Sequence, residues 1–221
     1  MAKRDSKSQE LHWNDESVEP YRILHSHVFA GRGEAPMCCV LFTANQRGEG
    51  CSTISSNMAI FLSKVQEGRV LLLELNLAHP ARRPVVPAVR EVGVVQVVRG
   101  ESSLEDAVQR VGENLDVLAA GCGPEGLTGS VSESGLSDLL GRLKRSYSHV
   151  VVDAPTVSGT PSMKLLAPRA DGVVLVTRAN ETRRHVAARS VRELRGAGAN
   201  LLGVALNQRR HFIPRWLYRS L

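Results

Sequence analysis

The stretch Cys38–Ser63, CCVLFTANQRGEGCSTISSNMAIFLS, decides how the rest of the chain is read. Val40, Leu41 and Phe42 close a short apolar, β-prone run. Gly48 and Gly50 follow, one residue apart. Ser52 and Thr53 then open a segment whose Ile54, Met58, Ala59 and Leu62 recur at helical spacing. The pattern is strand, glycine turn, helix. A glycine turn feeding a helix N-terminus gathers backbone N–H groups and the positive end of a dipole at one spot, which suits phosphate. The phosphate-loop pattern G-x-x-x-x-G-K-[ST] fits with its second glycine at Gly50. Its first glycine then falls on Asn45 and its lysine on Cys51. The cradle is there without its lysine.

Outward from this stretch, apolar runs alternate with amphipathic ones. Val18–Ala30 reads as a helix, with Glu19, Arg22 and His25 along one side. RVLLLEL (69–75) is nearly continuous in apolar residues, the mark of a strand buried on both faces. Residues 77–90 read as loop, Val94–Val98 and Leu104–Val111 as short helices, the second capped by Ser102 or Ser103. Leu115–Ala120 reads as a strand, Ser132–Tyr147 as a helix, HVVVDAP (149–155) as a buried strand and Pro161–Leu166 as a short helix. GVVLVTRAN (172–180), Thr182–Arg195 and LLGVALN (201–207) give strand, helix, strand. This alternation predicts an α/β fold, a doubly wound, mainly parallel sheet with helices on both faces. Ligands in such sheets bind at the carboxyl ends of strands. The 45–53 loop, Glu74, Asn76, Asp153 and Asn207 all fall there.

A chain of 221 residues with 43% hydrophobic content fits one compact domain with tails. The expected division is a polar, flexible tail over 1–17, a phosphate-loop domain over 18–207 and a basic-aromatic tail over 208–221. Net charge is +6, carried mostly by arginine, since lysine occurs only at Lys3, Lys7, Lys64, Lys144 and Lys164. An arginine-rich solvated surface accounts for that charge; contact with acidic lipid, nucleic acid or an acidic partner is the alternative. Cys38, Cys39, Cys51 and Cys122 form no C-x-x-C pair, which points to a reducing compartment. No apolar run reaches the ~20 residues of a membrane span, and MAKRDSKSQE has no signal-peptide core. The histidines show no metal-ligand spacing. The chain is therefore expected to be cytoplasmic, or peripheral on a membrane.

With these motifs in place, the chain resembles the bacterial tyrosine kinases of exopolysaccharide and capsule synthesis, within the deviant-Walker group of phosphate-loop proteins. The likeness runs from residue 18 to 221. Arg47-Gly48-Glu49-Gly50-Cys51-Ser52-Thr53 stands where the family reads P-G-E-G-K-S-T. VLLLELNLAHP (70–80) matches V-L-L-I-D-x-D-L-R-x-P, and VVVDAPT (150–156) matches V-I-I-D-x-P-P. Glu19, Arg22 and His25 are similar to the family's E-x-x-R-x-x-R self-association helix. The resemblance implies ATP or ADP with magnesium at Arg47, Gly48, Glu49, Gly50, Cys51, Ser52 and Thr53, with Asn207 at the adenine base. It implies Ser52 and Asp153 at the metal and Glu74 with Asp153 as catalytic carboxylates. It further implies a homo-oligomer, a membrane chain-length or co-polymerase partner, no nucleic acid, and membrane-surface contact through 208–221.

The departures are as informative. Cys51 replaces a cation that faces phosphate, Glu74 and Asn76 replace two aspartates, and the tail offers only Tyr218 where the family has a tyrosine cluster. The expected function is a degenerate kinase relative with impaired phosphoryl transfer and weakened nucleotide binding, acting as a regulatory partner. The alternatives are an active magnesium-ATP kinase or ATPase, with Arg47 supplying the missing charge, and a partition- or division-type positioning ATPase. Cys51 is either a small residue closing the loop or, at a helix N-terminus, a redox-sensitive thiol of lowered pKa. A phosphatase loop is excluded, because Asn57 stands where its arginine would be.

Overall fold

The computed structural model describes residues 15–29, 38–76, 91–121, 131–158 and 162–208. Most of both expected tails, the 77–90 loop and the segment after Gly121 lie outside the described residues. The elements in order are α1 (Asp15–Val28), β1 (Cys39–Ala44), α2 (Cys51–Val65), β2 (Val70–Glu74), α3 (Val94–Val98), α4 (Leu104–Ala107), β3 (Val108–Arg110) and β4 (Leu115–Leu118). They continue with α5 (Glu133–Ser146), β5 (His149–Asp153), α6 (Ser162–Leu166), β6 (Gly172–Arg178), α7 (Arg184–Gly196) and β7 (Leu201–Asn207).

One sheet of seven strands holds them together, in the order β3-β4-β2-β5-β1-β6-β7. Every pairing is parallel except β3 with β4. The central strands are apolar on both faces because both faces are covered. Leu41, Leu71, Leu73, Val150, Val152, Val173 and Leu175 pack under α3, α5, α6 and α7. Val40, Phe42, Leu72, Val151, Val174 and Val176 pack under α1 and α2. Alternate residues of each strand thus enter opposite cores, as the period of two requires. Phe42 and Met58 are fully buried, so β1 and α2 are fixed against each other on either side of the phosphate loop.

Five boundaries differ from the sequence expectation, four of them for a local reason. The helix expected over Leu104–Val111 stops at Ala107, capped at its start by Ser103 Oγ accepting from Asp106 N at 3.0 Å. Val108, Gln109 and Arg110 instead extend along β4, opposite Leu118, Val117 and Asp116. The free edge of β4 overrides the helical spacing there. β4 itself ends at Leu118, because the carbonyls of Ala119 and Ala120 accept from Val94 N (2.9 Å) and Val95 N (3.0 Å) and so start α3. β6 ends at Arg178, before the left-handed Asn180 (φ 64). α7 begins at Arg184 because Thr182 serves the loop described below. α1 begins at Asp15, inside the stretch expected to be tail. Among the described residues no helix is long and apolar enough to cross a membrane.

Candidate functional site

The carboxyl end of the sheet carries the site. β1 leaves the sheet at Ala44 and the chain loops through Gln46–Gly50 into α2. Gly48 (φ 84) and Gly50 (φ 88) both lie in the left-handed region, which disfavours side chains. A Cβ on Gly50 would also meet Asn207 Nδ2 at 2.1 Å. Gly50 is the N-cap of α2 and offers no side-chain cap. The first-turn N–H groups of this 15-residue helix are left for an external acceptor.

Glu49 holds the loop's shape. Its side chain is turned inward, with 1% exposure. The carboxylate accepts from Asn45 N (2.7 Å), Asn45 Nδ2 (3.0 Å) and Gln46 N (3.2 Å). It also accepts from the hydroxyl of Thr182, beyond β6. Thr182 in turn accepts from Arg178 N at 3.3 Å. At the end of β7, Asn207 Nδ2 donates to the Glu49 carbonyl at 2.9 Å, and its Oδ1 accepts from Gln208 N at 2.8 Å. Glu49 and Asn207, expected to meet nucleotide, have these groups engaged in bracing the cradle. Thr182 went unnoticed in the sequence; its place just past a strand's carboxyl end was the available signal.

Asp153 ends β5 directly under the start of α2, opposite Glu74 of β2 in register. It is 5% exposed. Burial pushes its carboxyl up to about 6; hydrogen bonding with Ser52, Cys51 and Ser55 opposes the shift, and the charge of Glu74 adds to it. Its Oδ1 has no hydrogen-bond partner among the described residues. Leu75 N donates to the Asp153 carbonyl at 2.8 Å, tying the ends of β2 and β5 together.

Cys51 lies half-buried in the first turn of α2 with its thiol hydrogen-bonded to Asp153. Burial raises its pKa well above the ordinary thiol value, and the charges of Asp153 and Glu49 raise it further. The expectation of a lowered pKa is therefore corrected: two carboxylates and desolvation outweigh the helix dipole, and the group is a thiol, not a thiolate. Arg47 and Thr53 are exposed, and Arg47 makes no ion pair among the described residues. Asn76 is half-buried just past β2.

The arrangement fits a nucleotide phosphate with magnesium in part. Left-handed glycines and an uncapped helix start supply N–H donors. An orphaned, buried carboxylate oxygen beside the Ser52 hydroxyl suits a hard cation. Among the described residues no group of three or more His, Cys, Asp or Glu side chains is placed to hold a metal unaided. Such a cation would take further ligands from phosphate, which is how magnesium is ordinarily shared.

On α1, Glu19 and Arg22 are exposed and 3.8 Å apart. His25 is half-buried, turned to α2, with its Nε2 2.9 Å from Gln66 Nε2 and its ring 5.7 Å from that of Phe61.

No family model matches the sequence. The chain is 30% identical over 190 residues to the tyrosine-protein kinase YwqD of Bacillus subtilis, covering 86% of this chain and 80% of that protein. The chain belongs to the bacterial tyrosine-protein kinase family. Among solved structures of the family, the VpsO kinase domain superposes with a TM-score of 0.75 at 30% identity, over 89% of this chain and 98% of that one. The chimerical protein CapA2B2 shares the fold at a TM-score of 0.82 and 22% identity, over 91% of this chain and 88% of that one.

Proposed function

We propose that this protein is a kinase-family member of exopolysaccharide or capsule biosynthesis in which phosphoryl transfer is impaired. It would serve as the cytoplasmic regulatory partner of a membrane chain-length or co-polymerase protein. The observation that carries this reading is Cys51. Where the family pattern places a lysine, a protonated thiol hydrogen-bonds to Asp153, and that carboxylate stays buried and raised to about 6. A dense phosphate anion would meet a neutral thiol and a carboxylate pair in place of an ammonium. The N–H groups of the α2 first turn would still hold phosphate, and Ser52 with Asp153 would hold magnesium. Bound magnesium would supply charge neutralisation at the phosphates. Losing a transition-state cation costs ~10²–10³-fold in such chemistry.

In this reading Glu49, Thr182 and Asn207 keep the cradle in shape for binding, and the exposed face of α1 with Glu19 and Arg22 serves self-association. Titration of the purified protein with magnesium-ATP and magnesium-ADP, beside Cys51→Lys, tests it. Weak binding by the native protein and at least tenfold tighter binding by the variant are expected, with phosphotyrosine absent from the native protein. Phosphotyrosine on the native protein would overturn the impaired-kinase reading. It would make Arg47 the next residue to substitute.

A further inference from the structure

The sheet ends on β7, and among the described residues two large aliphatic side chains of this edge are exposed. Val204 is 47% exposed and Leu206 67%. In register they sit beside Leu175 and Thr177 of β6. Leu175 belongs to the core under α7, so Val204 and Leu206 project on the face that carries α7. That helix packs through Leu194 and Ser190 and leaves both aliphatic side chains in the open.

The exposed surface of α7 and its cap is strongly basic. Arg183, Arg184, His185, Arg189, Arg192 and Arg195 are all exposed. Arg189 pairs with Glu193 at 2.7 Å and Arg178 with Glu181 at 2.8 Å. Arg183, Arg184, Arg192 and Arg195 make no ion pair among the described residues. The first turn of α7 has no acidic residue, so Arg183 and Arg184 stand at the positive end of its dipole. That placement is locally unfavourable and a nearby anion would relieve it. Directly beyond β7 the sequence continues RRHFIPRWLYRSL (209–221), with four arginines, interfacial aromatics and no acidic residue.

We propose that α7 and the exposed edge of β7 form a surface that binds an anionic lipid bilayer directly, without a protein intermediary. A solvated charged helix is the ordinary explanation for scattered arginines. It does not account for aliphatic side chains left bare on the same face. Polyanions such as nucleic acid match the arginines but offer nothing to Val204 and Leu206. An anionic bilayer matches both, through headgroup charge and the acyl boundary. The inference rests on the membrane-associated part of the proposed function and is independent of nucleotide binding.

The test is flotation of the purified full-length chain with vesicles, without any partner protein. Binding is expected to vesicles containing phosphatidylglycerol, absent with phosphatidylcholine alone, and weakened by salt. The triple variant Arg184→Gln, Arg192→Gln, Arg195→Gln should lower partitioning about 100-fold, at about 1 kcal/mol per basic side chain near the surface. Leu206→Asp should lower it as well, with circular dichroism unchanged for both. A variant with Arg209, Arg210, Arg215 and Arg219 each replaced by Gln should retain binding that still depends on α7. No binding to anionic vesicles overturns the proposal, as does unaltered binding by the triple variant. Displacement by an equal charge of duplex DNA, with Leu206→Asp inert, also overturns it and assigns the surface to polyanions. None of these outcomes alters the magnesium-ATP titration, so failure here and failure of the impaired-kinase reading are separable.

Discussion

The two ends of the sheet hold carboxylates in opposite ways. At the amino end, each has a cation beside it. Asp116, 1% exposed, accepts from Arg69 and from the Tyr147 hydroxyl, the latter at 2.8 Å. Arg69 also lies over the Tyr147 ring, 5.3 Å from its centroid. Asp171 pairs with Lys144 Nζ at 2.6 Å and accepts from Cys38 N (3.1 Å) and Cys39 N (2.7 Å). These groups fasten strand starts to α5 and to each other. At the carboxyl end, Asp153 is nearly as buried, its neighbours are a thiol, hydroxyls and another carboxylate, and no cation is paired with it among the described residues. The first arrangement is structural. The second keeps a charge in place that folding alone does not favour, which is the usual mark of a ligand site.

The contrast can be broken most sharply at Asp153. Its folded pKa of about 6 lies above the ordinary 3.8. Between those values the folded state holds a proton that the unfolded state has released. Stability from this group is therefore full below pH ~4 and lost as pH rises through 6. Asp153→Asn should raise unfolding free energy by about 3 kcal/mol at pH 7.5 and by little at pH 4. Urea unfolding at the two pH values reads this directly, and a variant less stable at pH 7.5 would contradict it.

At the other end the sign reverses. Arg69→Met removes the cation from Asp116 and should cost about 2 kcal/mol, discounted from a fully buried pair because Arg69 is half exposed. A loss near zero in urea unfolding would mean that the amino-end pairs are as dispensable as surface ones. The smallest effect is expected at the loop brace. Thr182→Val strips a donor from Glu49 and should cost about 1 kcal/mol. It should also speed hydrogen exchange at the amides of Asn45 and Gln46, which Glu49 holds. Unchanged exchange there would show that the loop keeps its shape without Thr182.

Much of the fold was legible because the strands are buried on both faces: runs such as LLLEL and VVVDA need no context to be read. The short antiparallel β3 was not, since AVQRV has helical spacing and becomes a strand only where β4 offers an edge. In the site, the positions of Asp153 and Glu74 followed from the rule that strand ends face the ligand. The bracing role of Glu49 was hidden, because the loop motif placed it at the nucleotide and Thr182, 133 residues away, meets it only in the fold. The protonation of Cys51 was hidden for a related reason. Local sequence shows a helix N-terminus, while the burial that does most to raise the thiol comes from the packed fold, and the charges of Asp153 and Glu49 that add to it arrive from another strand and from the loop's own fold.

The most direct test of the account is an NMR pH titration of aspartate carboxyl carbons in the native protein, Asp153→Asn and Cys51→Lys. One native aspartate is expected to titrate near pH 6, to be missing from Asp153→Asn and to move well below its native value in Cys51→Lys, where an ammonium would face it. If no aspartate titrates above pH 5, or if Cys51→Lys leaves that titration where it was, then Asp153 is not the uncompensated charge of this site, and the replacement of the loop lysine is not what leaves it so.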